Sequence, residues 1–285
     1  MPLLSSVAVV AALMACVRGL AVEPQQPSRV GVVGGHDAQP KQFPHMASIQ
    51  AVVPSFWVFE SSQHICGGTL IAKNWVLTTA HCLHTAPANA KRIEVVLGTV
   101  SLRSWSSQRI GVAKTIKHEK YDPSRNGGAG YFDIALIKLA SDAVLSDSVQ
   151  LAALPLTTRE PAGNATLSGW GSTRGDQAVY PDRLQTVDLP LMFYAACFEF
   201  FARSEPENDN PLVRSNLCAG SLTEPGVALC SRDDGSPLVQ KDLNVTTVIG
   251  MASWGLQDCG SKPYPSVFIR VGYFLSWIED AMAKN

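Results

Sequence analysis

Two neighbouring runs, Ile65-Cys66-Gly67-Gly68-Thr69-Leu70-Ile71 and Trp75-Val76-Leu77-Thr78-Thr79-Ala80-His81-Cys82, decide how the chain is read. Both are short and rich in apolar and β-branched residues, as strands are. They end at His81, beside Cys82, with Cys66 sixteen residues before it. An imidazole titrates near ~6.5, so His81 is a candidate general base. The blander reading is a histidine packed beside a disulfide with no chemistry at all.

Working outward, the whole stretch from Phe43 to Val271 has the same texture. Apolar or alternating runs recur at Met46–Val53, Gly67–Ala72, Ile93–Leu97, Ile134–Leu139 and Val248–Trp254, separated by Gly, Pro, Asn and Asp. That pattern predicts an all-β sandwich or barrel. Only the tail differs: Phe274, Trp277, Ile278 and Met282 recur at helical spacing, predicting an amphipathic helix over Tyr273–Lys284 that docks on the body. Polar or glycine-rich insertions are expected at Arg103–Gln108, Arg125–Gly130 and Arg203–Asn210, and no repeat or low-complexity linker is seen.

The bulk numbers bound the function. Of 285 residues 46% are hydrophobic and 16% charged, and the net charge of −1 gives no field that would favour nucleic acid or an anionic membrane. Pro2–Cys16 is apolar and small, followed by Arg18 and Gly19-Leu20-Ala21, so residues 1–21 read as a signal peptide, without the usual leading positive charge. The run is shorter than the ~20 residues of a membrane span, and no membrane anchor is expected. Removing it takes Cys16 and leaves an even six cysteines, 66, 82, 197, 218, 230 and 259, which in an extracellular chain point to disulfides. Fifteen pairings are open at this point. Asn164-Ala165-Thr166 and Asn244-Val245-Thr246 are acceptors for N-glycosylation.

Three further stretches carry chemistry: Tyr131-Phe132-Asp133-Ile134-Ala135-Leu136-Ile137-Lys138-Leu139, Gly169-Trp170-Gly171, and Cys230-Ser231-Arg232-Asp233-Asp234-Gly235-Ser236-Pro237-Leu238-Val239. Together with Thr79-Ala80-His81-Cys82 they resemble the chymotrypsin- and trypsin-like serine protease family, and the resemblance spans about residues 32–285. It implies two six-stranded antiparallel β-barrels with a cleft between them and a C-terminal α-helix. It also implies the pairs Cys66–Cys82, Cys197–Cys218 and Cys230–Cys259. His81 and Asp133 fall at the family's histidine and aspartate, whose buried carboxylate sets the histidine tautomer.

The last stretch departs from the family pattern Cys-x-Gly-Asp-Ser-Gly-Gly-Pro-Leu at two positions that matter. Asp234 stands at the nucleophilic serine, and Arg232 at the glycine whose N–H forms half of the oxyanion hole. A carboxylate has no proton for His81 to take at neutral pH, and losing the nucleophile of a triad costs on the order of 10⁶ in kcat. The resemblance further implies a specificity pocket with Ala228 at its floor, Ser266 on its wall and Gly255 on its rim, which would take an apolar or small side chain.

Val32-Val33-Gly34-Gly35 is similar to the family's mature N-terminus, making residues 22–31 a short pro-segment and 32–285 the protease-like domain. In active members the new ammonium pairs with the aspartate at Asp233. Here Gly31 precedes Val32, and a cut after Arg29 leaves the overhang Val30-Gly31, which keeps the amine from Asp233. The expectation is therefore a secreted, non-catalytic homologue that acts by protein binding, as cofactor, decoy or inhibitor, on extracellular proteases or other enzymes. Two alternatives stand beside it: an active peptidase with an unconventional nucleophile such as Ser236, and an effector that binds a glycan or inhibits a non-protease enzyme. For the second, the mildly basic Lys114–Lys120 is a weak pointer, better read as a solvated strand edge. A metal held by His81, Asp133 and Asp234 is disfavoured because Asp133 would sit behind the ring, so no metal or cofactor is expected. Oligomeric state is not legible.

Overall fold

A computed structural model of the chain describes residues 32–55, 59–124, 131–175, 178–204, 210–255 and 258–285. The proposed signal peptide, the pro-segment with Arg29, and the insertion Arg125–Gly130 lie outside these residues. After a two-residue strand β1 (His36–Asp37), six strands close the first barrel: β2 (Met46–Pro54), β3 (Glu60–Ala72), β4 (Trp75–Thr78), β5 (Arg92–Leu97), β6 (Gln108–Lys117) and β7 (Ala135–Leu139), in the order β2-β3-β4-β7-β6-β5. The second barrel uses β8 (Asn164–Gly169), β9 (Gln185–Met192), β10 (Asn216–Ala219), β11 (Pro237–Asp242), β12 (Val245–Trp254) and β13 (Ser266–Arg270). Its order is β9-β10-β13-β12-β11-β8, the pairing of β8 with β9 closes it, and β1 lies along β9. Every ladder is antiparallel. The two six-stranded barrels and the terminal helix expected from the sequence are present.

Each barrel is filled by the inward half of its alternating strands: Ile49, Leu70, Val76, Val95 and Ile137 in the first, Leu167, Leu217, Leu238 and Phe268 in the second. A third cluster joins them. Leu77, Ile134 and Leu136 from the first barrel meet Val248, Met251 and Ile269 from the second, along with Phe274 and Ile278. Closing both barrels abolishes sheet edges. This seam then fixes their relative placement, and so the geometry of anything built between them. The C-terminal element starts as a 3₁₀ turn (Val271–Phe274) and continues as helix α3 (Leu275–Lys284), which buries Ile278 and Ala281 in the seam. Burying a side chain such as Phe274 or Ile278 contributes about 1.5–3 kcal/mol. The helix therefore fastens both barrels rather than the second alone.

One element was not legible. Helix α2 (Tyr194–Ser204) occupies a stretch read as strand-like and as the start of an insertion. Only Cys197 and Phe201 of it are buried, a single i, i+4 pair, while Phe198 remains exposed. So narrow a stripe leaves little periodic signal. The Cys197–Cys218 disulfide tethers the helix to β10, and Phe201 packs against Leu212 and Val267. The other two disulfides are Cys66–Cys82 and Cys230–Cys259, the pairing implied by the family resemblance.

Candidate active site

The first barrel supplies the base. Helix α1 (Ala80–His84) follows β4 directly and presents His81 to the cleft, tied at its root by Cys66–Cys82 to β3. Asp133, fully buried just before β7, accepts from the His81 backbone N–H at 2.8 Å and from Nδ1–H at 2.7 Å. The Ser253 hydroxyl, reaching from β12 of the other barrel, donates to the same carboxylate at 2.7 Å. Nδ1 is thus the donor and Nε2 faces the cleft, the tautomer a general base needs.

At Nε2 stands Asp234, its Oδ1 3.5 Å away. The Gly67 N–H donates to the Asp234 carbonyl at 2.8 Å and the Gly235 N–H to the Ala252 carbonyl, so both barrels hold the residue in place. His81 is then an imidazole between two carboxylates. Burial presses against its charged form, but Asp133 and Asp234 outweigh that and hold its pKa up at about 10. A ring held between two carboxylates in this way favours its imidazolium form at neutral pH. The two carboxylates lie on opposite nitrogens, so His81, Asp133 and Asp234 do not converge on a common point where a metal could sit.

Behind the loop, Asp233 is fully buried and accepts N–H bonds from Cys230 at 3.0 Å and Gly171 at 2.8 Å. Burial pushes its pKa up to about 7. The Gly-Trp-Gly turn exists to admit this carboxylate, since a Cβ on Gly169 would lie 2.1 Å from Asp233 Oδ1 and one on Gly171 2.3 Å from its Cγ. Val32 is completely buried in the second barrel's core, and Val33 bridges to Ala228. Ser236, two residues after Asp234, is fully buried, and its Oγ faces the backbone of Gly67 without a partner among the described residues. It does not enter the cleft.

Arg232, which stands at the family's oxyanion glycine, keeps a backbone conformation that suits glycine. Its φ is +70°, a left-handed conformation that costs a residue with a Cβ about 1–2 kcal/mol. The guanidinium lies over the Tyr180 ring at 4.0 Å. Its carbonyl is held by His64, a residue of β3 that sequence reading did not single out. His64 Nε2–H donates to the Arg232 carbonyl at 3.2 Å, Nδ1 accepts from Ser48 Oγ at 2.8 Å, and Gln50 donates to that oxygen. Burial holds the ring neutral, with its pKa down at about 4, as this relay requires.

On the other side of Asp234 a cavity of about 280 Å³ is lined by Leu229, Cys230, Ser231, Asp234, Ser253, Trp254, Gly255 and Cys259. Gly255, expected at the rim of a specificity pocket, is among the residues that line it. Ala228 is buried against Cys230, Cys259 and Val33, and Ser266 lies behind the wall, its Oγ accepting from the Leu229 N–H at 3.0 Å. Leu229 was not anticipated: it is in the lining beside Gly255, where an added Cβ would meet its Cδ1 at 3.4 Å. Asn164 opens β8 and Asn244 sits in the β11–β12 turn, both exposed.

A comparison with protein-family models matches residues 32–278 to the family described as Trypsin. Among curated proteins, "Trypsin-3" of Homo sapiens is 33% identical over 256 residues, 89% of this chain and 73% of that one. "Anionic trypsin" of Canis lupus familiaris is 32% identical across 89% of this chain and 90% of its own. "Trypsin-1" of Astacus astacus is 32% identical across 87% and 98%. With the barrels, the paired His81 and Asp133, and the buried Asp233 in place, the chain belongs to the trypsin-like serine protease family.

Proposed function

We propose that this chain is a secreted, non-catalytic member of that family which works by binding other proteins in and around its cleft. One observation carries the reading: a carboxylate, Asp234, occupies the position beside His81 Nε2 where the chemistry requires a hydroxyl. A carboxylate 3.5 Å from the base turns the base into a charged partner instead of a proton acceptor. Without a nucleophile, acyl transfer loses about 8 kcal/mol of barrier lowering. What remains in such a site comes from the oxyanion donors and from substrate binding. Here one of those donors belongs to Arg232, in a strained conformation.

The binding half of the proposal draws on what the loop changes leave intact. The cleft is still shaped, with an apolar pocket between Leu229, Trp254 and Gly255 on one side of Asp234 and the Arg232–Tyr180 stack on the other. Three disulfides and the resemblance to trypsins support an extracellular location, and the exposed Asn164 and Asn244 are available for glycans there. The direct test is hydrolysis of peptide p-nitroanilides bearing alanine, valine or leucine before the scissile bond. Rates should equal the uncatalysed background. Turnover that survives purification and is removed by His81→Ala would overturn the reading.

A further inference from the structure

Arg232 is strained by its backbone yet clamped at both ends, and such a residue marks a place where the fold holds a side chain for use. Its carbonyl is pinned by neutral His64, and its guanidinium lies over the Tyr180 ring at 4.0 Å. Among the described residues, no carboxylate or carbonyl accepts from that guanidinium. Arg232 lines a cavity of about 250 Å³ together with Gln63, His64, Leu102, Trp170 and Tyr180. Two more charges border this cavity, Arg103 and Asp182. Asp182 is already engaged, accepting from Ser101 Oγ at 2.6 Å and from the Arg103 backbone N–H at 3.1 Å, with Arg103 Nε 3.9 Å away. His64 is neutral. The balance is an unspent positive charge in a small polar cavity.

We propose that this cavity captures the carboxylate of an aspartate or glutamate side chain on a polypeptide seated in the cleft, with Arg232 as the anchor. A planar fork matches a carboxylate with two parallel hydrogen bonds. Stacking on Tyr180 holds the fork in advance, so little rotamer freedom is lost on binding. The occupant is a polypeptide rather than a free anion because Arg232 and Asp234 are two residues apart and separate this cavity from the Leu229–Trp254 pocket, so one extended segment passes both. The inference rests on the protein-binding reading above.

The test titrates the full chain with Ac-Gly-Asp-Gly-NH₂, its asparagine counterpart and sodium acetate, following the Arg232 Nε–Hε and Tyr180 ring resonances by NMR. The aspartyl peptide should shift both sets saturably, at least tenfold more tightly than the asparaginyl peptide and at least threefold more tightly than acetate. Tyr180→Leu should weaken it threefold or more. Arg232→Gly should abolish the Tyr180 response, and because glycine accepts this backbone conformation freely, that loss cannot be assigned to misfolding. Equal response to aspartyl and asparaginyl peptides, binding that survives Arg232→Gly, or no response up to 100-fold molar excess would overturn the proposal. Acetate binding as tightly as the peptide would overturn its polypeptide part. None of these outcomes touches the absence of turnover, which is measured separately.

Discussion

Asp234→Ala removes one of the two carboxylates that hold His81 charged, and its effect follows from the geometry. Two unit charges 3.5 Å apart interact by about 5 kcal/mol at an effective dielectric of 20. That is an upper bound, because the Asp234 side chain is 29% exposed and water screens it. Asp133, closer at 2.7 Å and fully buried, stays behind and continues to favour the imidazolium. The His81 pKa should therefore fall from about 10 by one to two pH units, at roughly 1.4 kcal/mol per unit. Long-range ¹H–¹⁵N correlation spectra of the imidazole nitrogens between pH 5 and 11 read this directly, with His81→Gln assigning the signal among the six histidines. Asp234→Asn keeps the shape and removes the charge, so it should reproduce the fall. A His81 midpoint unchanged in both variants would refute the reasoning, since it would mean that the ring does not sense residue 234.

Other outcomes follow from the buried groups. His45 and His64 are held neutral by burial, each with a pKa near 4, so the unfolded chain takes up their protons first as pH falls below about 6.5. Stability that each permits at neutral pH is lost between pH 6.5 and 4. His64→Gln, which keeps the donor to Arg232, should therefore lose about 3 kcal/mol less than the natural protein between those pH values in urea denaturation. An identical pH dependence would contradict a neutral His64. His81 acts in the opposite direction: raised to about 10, its contribution is complete below pH 6.5 and disappears as pH rises through 10, so alkaline stability should fall less in Asp234→Ala than in the natural protein. Gly169→Ala puts a methyl group 2.1 Å from Asp233 Oδ1 and should cost about 3 kcal/mol or more, read as a fall in Tm, whereas a neutral outcome would mean that the Asp233 carboxylate is free to move.

The parts of this protein legible in its sequence were those whose residues sit together in the chain. Alternating runs predicted the strands, and the local motifs around His81, Asp133 and Asp234 singled out three residues that the fold sets in a row, the imidazole between the two carboxylates. What escaped was assembled across the chain. His64 lies in an ordinary strand segment and acquires its role only because β3 carries it next to Ser48 on β2 and opposite Arg232, 168 residues on. Tyr180 is a loop tyrosine until Arg232 lies on it. Leu229 reads as one more apolar residue, yet it lines the pocket beside Gly255. Helix α2 was hidden because tethering by a disulfide and one buried phenylalanine replaces the broad apolar face that a periodic reading detects. The direction of the Arg232 side chain depended on a stacking partner 52 residues away, which no local rule could supply.

The proposal that the site is built but lacks its nucleophile can be tested directly by one measurement. The purified natural protein is treated with a fluorophosphonate probe beside a variant carrying Arg232→Gly and Asp234→Ser and beginning at Val32. The account predicts that the natural protein stays unlabelled while the altered one reacts at residue 234. Labelling of the natural protein, mapped to any serine in the cleft, would contradict it.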